Sequence, residues 1–547
     1  MIENKMLAIP GIALPSYWLR DLNKQIDQEE GNAMEQFINR HKNSISGVLS
    51  GFDRILFRGT FRGLSYVAGM QSFLNHHHVL LKDFGAFAQK HSELIRIHAE
   101  SFAQRYNRPY QYIQRSSACK EDMAKAIMVK DKITQGLICV LSCVEVCMSY
   151  GIRKNKSTHR LELVSDTRKC QHFYFYFIDK EFGFMHVRLQ SWFPCPIQVC
   201  INGREWLARK MNKARIGYQR RENCFTRIDD FSKTQKLADS TSNRPWPKIL
   251  DVFAKRFNPL LAESTGLDLR GYYWTIRQAE YATDVVFKDP SVLKELYPKL
   301  VHHAIEHFSS DDVLRFLGRR LHGNFNGEVL SDTRRRTEGL RIKHWVNDNS
   351  IKMYDKQQYV LRIETTINNP KDFKVYRDCL RNRTIQKAWV PMRKSVADIF
   401  RRVDVSLAAN SRYLNALASI GDEQPSHQLL DQVAVPINKL NRPFRPLHPI
   451  APQDSFLFQS ILRGEFLIKG FRNKDIRLYL FPNPISKEQL HRDIARTSRL
   501  ISLLRAHHLI NKVPNTRLYR ISDKGQRIMS TALIFRNSNI AFLHKCT

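Results

Sequence analysis

The chain has 547 residues, with 87 Lys and Arg against 52 Asp and Glu and a formal net charge of +35. At 43% hydrophobic and 11% aromatic it is neither a disordered nor a collagen-like chain, and its most apolar run, Ile138 to Met148, falls well short of the about 20 residues of a membrane-spanning helix. A basic excess spread along the whole chain attracts polyanions, so the partner it predicts is nucleic acid, DNA or RNA, and no membrane. Ten scattered cysteines and the lack of a basic, then apolar leader predict a cytoplasmic protein with reduced thiols.

Residues 1–45 read as a polar, helical N-terminal segment. At Gly47 the texture changes, and Val48 to Thr60 reads as a buried strand with a single acid, Asp53, inside it. Burying that carboxylate costs free energy unless it is paired or metal-bound. Helical spacing over 65–131 is followed by a β-rich block with a hairpin at His172 to Ser191. Together 46–239 form an expected α+β domain, the first half of a palm-like antiparallel sheet. Residues 240–330 read as a helical insertion, ending in the loop signal Gly323-Asn324-Phe325-Asn326-Gly327. Within it, Glu280 and Asp284 fall at i and i+4 of an expected helix, a geometry that can bind a metal or form a solvated face, and like charges there repel unless something neutralises them. A strand hairpin and helices over 331–434 complete the palm-like region, and the Pro-rich stretch 435–452 reads as a linker.

Counted from Asn441, the C-terminal stretch holds 19 Lys and Arg against 6 Asp and Glu, and its residues 453–547 read as one compact block. Their expected order is helix, a second helix capped by Ser486, a turn-containing β-wing from Leu509 to Ser522 with its turn at Pro514-Asn515, and a last helix. That order predicts a winged helix-turn-helix. Arg492, Arg496, Arg499 and Arg505 would lie on its recognition helix and Lys512, Arg517 and Arg520 on its wing. The overall expectation is thus an α+β multidomain protein with a central palm-like antiparallel sheet, helical insertions and a C-terminal winged helix.

The chemistry concentrates in the hairpin from Asn349 to Pro370. Alternation puts Arg362, Glu364 and Thr366 on one face, and antiparallel pairing brings Lys352, Tyr354, Arg362 and Glu364 together. An arginine and a carboxylate two residues apart suit metal or phosphate handling, or form a structural ion pair. The basic run Arg334-Arg335-Arg336, followed by Lys343 and Trp345, suits the backbone and bases of single-stranded nucleic acid. Cys139, Cys143 and Cys147 read as core thiols.

Tyr354-Asp355-Lys356 followed by Leu361-Arg362-Ile363-Glu364 resembles a segment of filamentous-phage and plasmid rolling-circle replication initiators. The Asp53 strand is similar to the one that opens their catalytic domain. The resemblance implies a ferredoxin-like palm that nicks single-stranded DNA through a tyrosine with a divalent metal, Mg²⁺ or Mn²⁺. The paired histidines of such nickases have no counterpart here, since His172 and His186 stand singly. The expected function is a DNA-binding protein of replication initiation or recombination, of a bacterium or its mobile elements. As an enzyme it would cut or rejoin phosphodiesters, with Asp53 and Glu364 on the metal and Tyr354, Lys356 and Arg362 beside them. The alternative is a non-enzymatic DNA- or RNA-binding factor in which the same acids are structural.

Overall fold

The computed structural model describes residues 37–538, except 307, 319–326, 337–338, 382–383, 419–425, 440–441, 464–465, 467–469, 483 and 515. The expected N-terminal segment up to residue 36, most of the 323–327 loop and Asn515 of the wing turn lie outside these residues. The chain divides into Ser44–Asn410 and a second unit of Ser411–Thr547 with the residues up to Asn43.

The large unit is built on one sheet of eleven strands. They are β1 (Ile45–Thr60), β2 (Tyr110–Tyr112), β3 (Gly136–Lys154), β4 (Leu161–Asp179), β5 (Gly183–Gln190), β6 (Ile197–Asn202), and, past a small β7–β8 hairpin (Tyr218–Arg221, Cys224–Ile228), β9 (Tyr273–Phe287). The last four are β10 (Val329–Arg336), β11 (Gly339–Val346), β12 (Asn349–Lys356) and β13 (Val360–Ile367). Their order is β10-β11-β12-β13-β9-β1-β6-β5-β4-β3-β2. Every neighbouring pair is antiparallel except β2–β3. β14 (Lys374–Arg381) and β15 (Thr384–Pro391) form a separate two-stranded ribbon.

Period-two alternation decides which face each side chain takes. On β4, Phe173, Phe175 and Phe177 enter the main core, where helices Phe84–Arg105 and Trp246–Phe257 supply Phe102, Phe253 and Phe257 against them. Tyr174 and Tyr176 point the other way and pack with helix Lys120–Lys130. Each such ring, fully buried, is worth about 1.5–3 kcal/mol of apolar transfer.

Two features differ from the expectation. The stretch 240–330 is no helical insertion, because it contributes β9 at the middle of the sheet, and Glu280 and Asp284 are strand residues. The reason lies in a register shift. Between Leu56/Gln278 and Phe57/Ile276 the β1–β9 ladder skips Arg277, so the apolar alternation of Trp274 and Ile276 resumes out of phase at Ala279 and Tyr281. The second difference is the Pro-rich stretch. Leu447 is fully buried in the core of the C-terminal unit with Val433, Phe458 and Leu504, and Arg445 makes a two-point ion pair with Asp454. It is packed structure, not a linker.

In the C-terminal unit, helices Pro452–Ile461, Asn473–Leu480, Lys487–Ala506 and Asp523–Asn537 surround Phe458, Phe471, Leu504 and Met529. Ser486 caps the third by accepting from the Gln489 amide. A short hairpin, Ile510–Lys512 with Tyr519–Ile521, follows it. Phe471, just before the second helix, exchanges two backbone hydrogen bonds of 2.8 Å with Tyr519.

Candidate metal centre and nucleic-acid interface

Three adjacent strands, β1, β9 and β13, bring three carboxylates to one face of the sheet. Asp53, Glu280 and Glu364 each present an oxygen, and these oxygens all lie within 4.8 Å of one another. That span suits the ligands of a divalent ion, whose oxygen distances run about 2.0–2.6 Å. Asp53 gets there through a bulge. Phe52 pairs with Tyr281 and Arg54 with Glu280, which leaves Asp53 as an extra residue with no β9 partner. Glu364 sits two residues before Thr366, which stands directly across from Glu280.

The two ends of this cluster are neutralised differently. Arg362, fully buried, grips Asp284 through two bonds of 2.6 and 2.8 Å and reaches Asp53 at 3.2 Å. Arg204, also fully buried, lies 3.0 Å from Asp284 and 3.9 Å from Asp53. Asn223, in the β7–β8 turn, donates to Asp53 at 3.0 Å and accepts from Arg362 through its carbonyl. Burial pushes the Asp53 carboxyl up, but Arg362 and Arg204 outweigh it and hold the group below its ordinary value. Glu364 pairs with Lys352 at 2.6 Å and accepts from the Tyr354 hydroxyl at 2.5 Å.

Glu280 has no such cation. Its one hydrogen bond is from the Gln278 amide at 3.0 Å, and among the described residues no Lys or Arg nitrogen lies within ion-pair distance of it. Burial and the neighbouring Glu364 push its pKa up to about 7. The buried Thr366 hydroxyl opposite it has no hydrogen-bond partner among the described residues. Two oxygen-bearing side chains thus stand underused beside Glu364, and oxygen donors are what a hard divalent cation takes.

The other expected site residues fall into place around this centre with altered roles. Arg362 is committed to Asp284 and Asp53, so it is not available to a phosphate. Tyr354 is held by burial and by Glu364 well above the ordinary tyrosine pKa. Lys356 is buried near the β12–β13 turn, its ammonium 5.6 Å from the Tyr354 ring. Arg334 pairs across from Arg341 on the face that carries Lys343, while Arg335 takes the opposite face and Arg336 ends β10. Both Arg334 and Arg335 are exposed. Lys343 sits 4.3 Å over the Trp345 ring. In the C-terminal unit, Arg492, Arg496 and Arg499 are exposed at i, i+4 and i+7 of one helix, and Arg496 lies 5.5 Å from the Phe481 ring. Arg505 is exposed on another side of that helix; Lys512 and Arg517 are exposed on the hairpin and Arg520 is half-buried.

Sequence reasoning paired Glu280 with Asp284 on a helix and so missed it as the third carboxylate beside Asp53 and Glu364, and it missed Arg204 and Asn223 entirely. A strand reading of 273–287 would have put Glu280 and Asp284 on one face, because their spacing is even. No helix among the described residues is long and apolar enough to cross a membrane. No protein-family model, curated protein or solved structure matches this chain.

Proposed function

We propose that this protein binds nucleic acid and cuts or rejoins phosphodiester bonds with a divalent cation, Mg²⁺ or Mn²⁺, held by Asp53, Glu280 and Glu364, in DNA replication initiation or recombination. The observation that carries this reading is Glu280. It is a carboxylate raised to about 7 beside a second carboxylate, without an ion-pair partner among the described residues, in a chain of net charge +35. A divalent cation there would stabilise charge developing on a phosphoryl oxygen.

The chain's own groups have definite tasks in this reading. Arg362 and Asn223 fix the direction of Asp53, and Lys352 and Tyr354 fix Glu364. A tyrosine whose pKa is raised by burial and a carboxylate is a poor nucleophile at neutral pH. An attacking oxygen from water or from a nucleic-acid end therefore fits better than the tyrosine chemistry of rolling-circle initiators. The C-terminal unit supports a winged-helix reading: three helices, then a hairpin that recruits Phe471 as a third strand position. Arg492, Arg496 and Arg499 would then face a major groove, with Lys512 and Arg517 over the flanking phosphates.

A second reading, a non-enzymatic binding factor, is favoured by one observation. Arg362, Arg204 and Lys352 already pair Asp53, Asp284 and Glu364. One experiment separates the two. Labelled single- and double-stranded DNA and RNA are incubated with the protein in Mg²⁺, Mn²⁺ or EDTA. The enzyme reading expects metal-dependent cleavage that Glu280→Gln abolishes while affinity is retained. Salt-sensitive binding with no cleavage in either metal overturns it and leaves the binding factor.

A further inference from the structure

On the same face as the carboxylates, farther along β1, lies a group of guanidiniums that nothing so far accounts for. Arg58 stands four residues beyond Arg54, the partner of Glu280, which places it about 13 Å along the strand at ~3.3 Å per residue. Across the sheet, Arg58 pairs with Gln198, and Gln198 pairs with Arg188. On the other side Arg58 pairs with Thr275, next to the bulged Arg277. Arg188 is partly compensated by Glu145 at 2.5 Å. Arg58 and Arg277 have no carboxylate partner among the described residues, and the Arg58 Nε is buried without a hydrogen-bond acceptor. Burial first, and then Arg277 and Arg188, push the Arg58 pKa down.

Like-charged guanidiniums repel, and half-buried ones do so with little screening. A chain that gathers three of them with the Glu145 carboxylate on Arg188 alone has left a place for a further anion. The next position along the same face adds a second kind of contact. Tyr273, across from Thr60, is 36% exposed, and the Arg62 guanidinium lies 4.2 Å from its ring centroid. An aromatic face backed by a cation is what unpaired bases stack on. Lys343 over Trp345 repeats the arrangement on β11, on the far side of the carboxylates.

We propose that Arg58 and Arg277, with Arg188, bind backbone phosphates of single-stranded nucleic acid and that Tyr273 with Arg62 stacks a base, so that the strand runs along β1 towards the carboxylates. This deepens the reading above and rests on its nucleic-acid half alone, not on catalysis. The partner is single-stranded because a base within a duplex offers its face only to its neighbours in the stack.

The test uses the full-length protein in EDTA, so that no metal and no cleavage enter. Anisotropy of a dye-labelled oligothymidylate is followed against KCl for wild type, Arg58→Ala/Arg277→Ala and Tyr273→Ala. The double variant is expected to bind about tenfold or more weakly, with the salt slope reduced by about 1.4, at ~0.7 per single-strand phosphate contact. Its melting temperature should be equal or higher, since repulsion is relieved. Tyr273→Ala is expected to weaken oligothymidylate about fivefold or more and to leave an abasic strand of the same length unaffected. Should the double variant unfold, exposed Arg277→Gln alone must still lower the slope by about 0.7. An unchanged slope in a folded variant overturns the proposal, and an equal loss for duplex overturns its single-strand part. Wild-type protein that never cleaves, yet needs Arg58 and Arg277 to bind, defeats the catalytic reading and supports this one.

Discussion

Asp284 and Glu280 stand four residues apart on β9 and face the same side of the sheet, yet their surroundings are opposite. Asp284 is 1% exposed and held between two buried guanidiniums, with a two-point bond to one of them. Glu280 is half-buried, faces another carboxylate and has no ion-pair partner among the described residues, Lys352 and Arg54 acting on it only from farther away. The first is a closed ion network, whose desolvation is compensated from within the fold. The second is an open one, whose compensation must come from solvent, a proton or a ligand. The closed end also fixes where Asp53 points, because Arg362 bridges Asp284 to Asp53, whose oxygen lies within 4.8 Å of one from Glu280.

The sharpest way to break this contrast is Arg362→Met. It leaves Asp284 and Asp53 buried with one guanidinium between them, and stability should fall by about 3–5 kcal/mol in urea denaturation. A loss below about 1 kcal/mol would mean that the closed end is not what organises the cluster.

Glu280 gives the opposite sign. Its folded pKa, about 7, lies above the ordinary value of 4.5, so the native state binds the proton more tightly than the unfolded chain does. The metal-free protein should therefore lose stability as pH rises from about 4.5 to about 7. Glu280→Gln should flatten that slope in thermal melts across this window. Mg²⁺ or Mn²⁺ should raise the melting temperature of wild type, more at pH 8 than at pH 6, and leave Glu280→Gln unmoved.

A smaller effect tests the other unit. Arg496→Ala/Arg499→Ala should lower the salt slope for duplex DNA by about 1.8, at ~0.9 per phosphate contact, with little change in melting temperature. A fragment of residues 453–547 should melt lower than one of residues 426–547, because only the longer one keeps Val433, Leu447 and the Arg445–Asp454 pair. Equal melting of the two fragments would return the Pro-rich stretch to the status of a linker.

What could be read from the sequence was local or costly. The β12–β13 hairpin is closed by a short turn, so its alternation alone aligns Lys352 with Glu364 and Tyr354 with Arg362. Asp53 drew attention because a carboxylate in an apolar strand needs an explanation. Glu280 escaped because its relation to Asp53 joins positions more than two hundred residues apart, and because the skip at Arg277 disguises β9 as something other than a strand. The Pro-rich stretch misled for a different reason. Proline marks where regular hydrogen bonding stops, and says nothing about whether a Leu447 between the prolines is buried.

Two of the three register shifts in the β1–β9 ladder, those at Asp53 and Arg277, carry a consequence that belongs to heredity more than to chemistry. Asp53 is the surplus residue on one strand and Arg277 the surplus residue on the other, and between them the pairing is offset by a single step that each bulge undoes. They behave as two opposite dislocations in a lattice, enclosing a short displaced segment while Gly47 to Phe52 on one side and Phe57 to Thr60 on the other share one alignment. Losing either codon alone would bring the flanking pairs into one regular run, Phe52–Tyr281 beside Arg54–Glu280 or Leu56–Gln278 beside Phe57–Ile276, and leave every other partner in place. The acid of the candidate metal centre and the cation of the candidate strand track are thus each carried by a residue that the ladder can spare, so either can be lost by itself while the sheet keeps its registry.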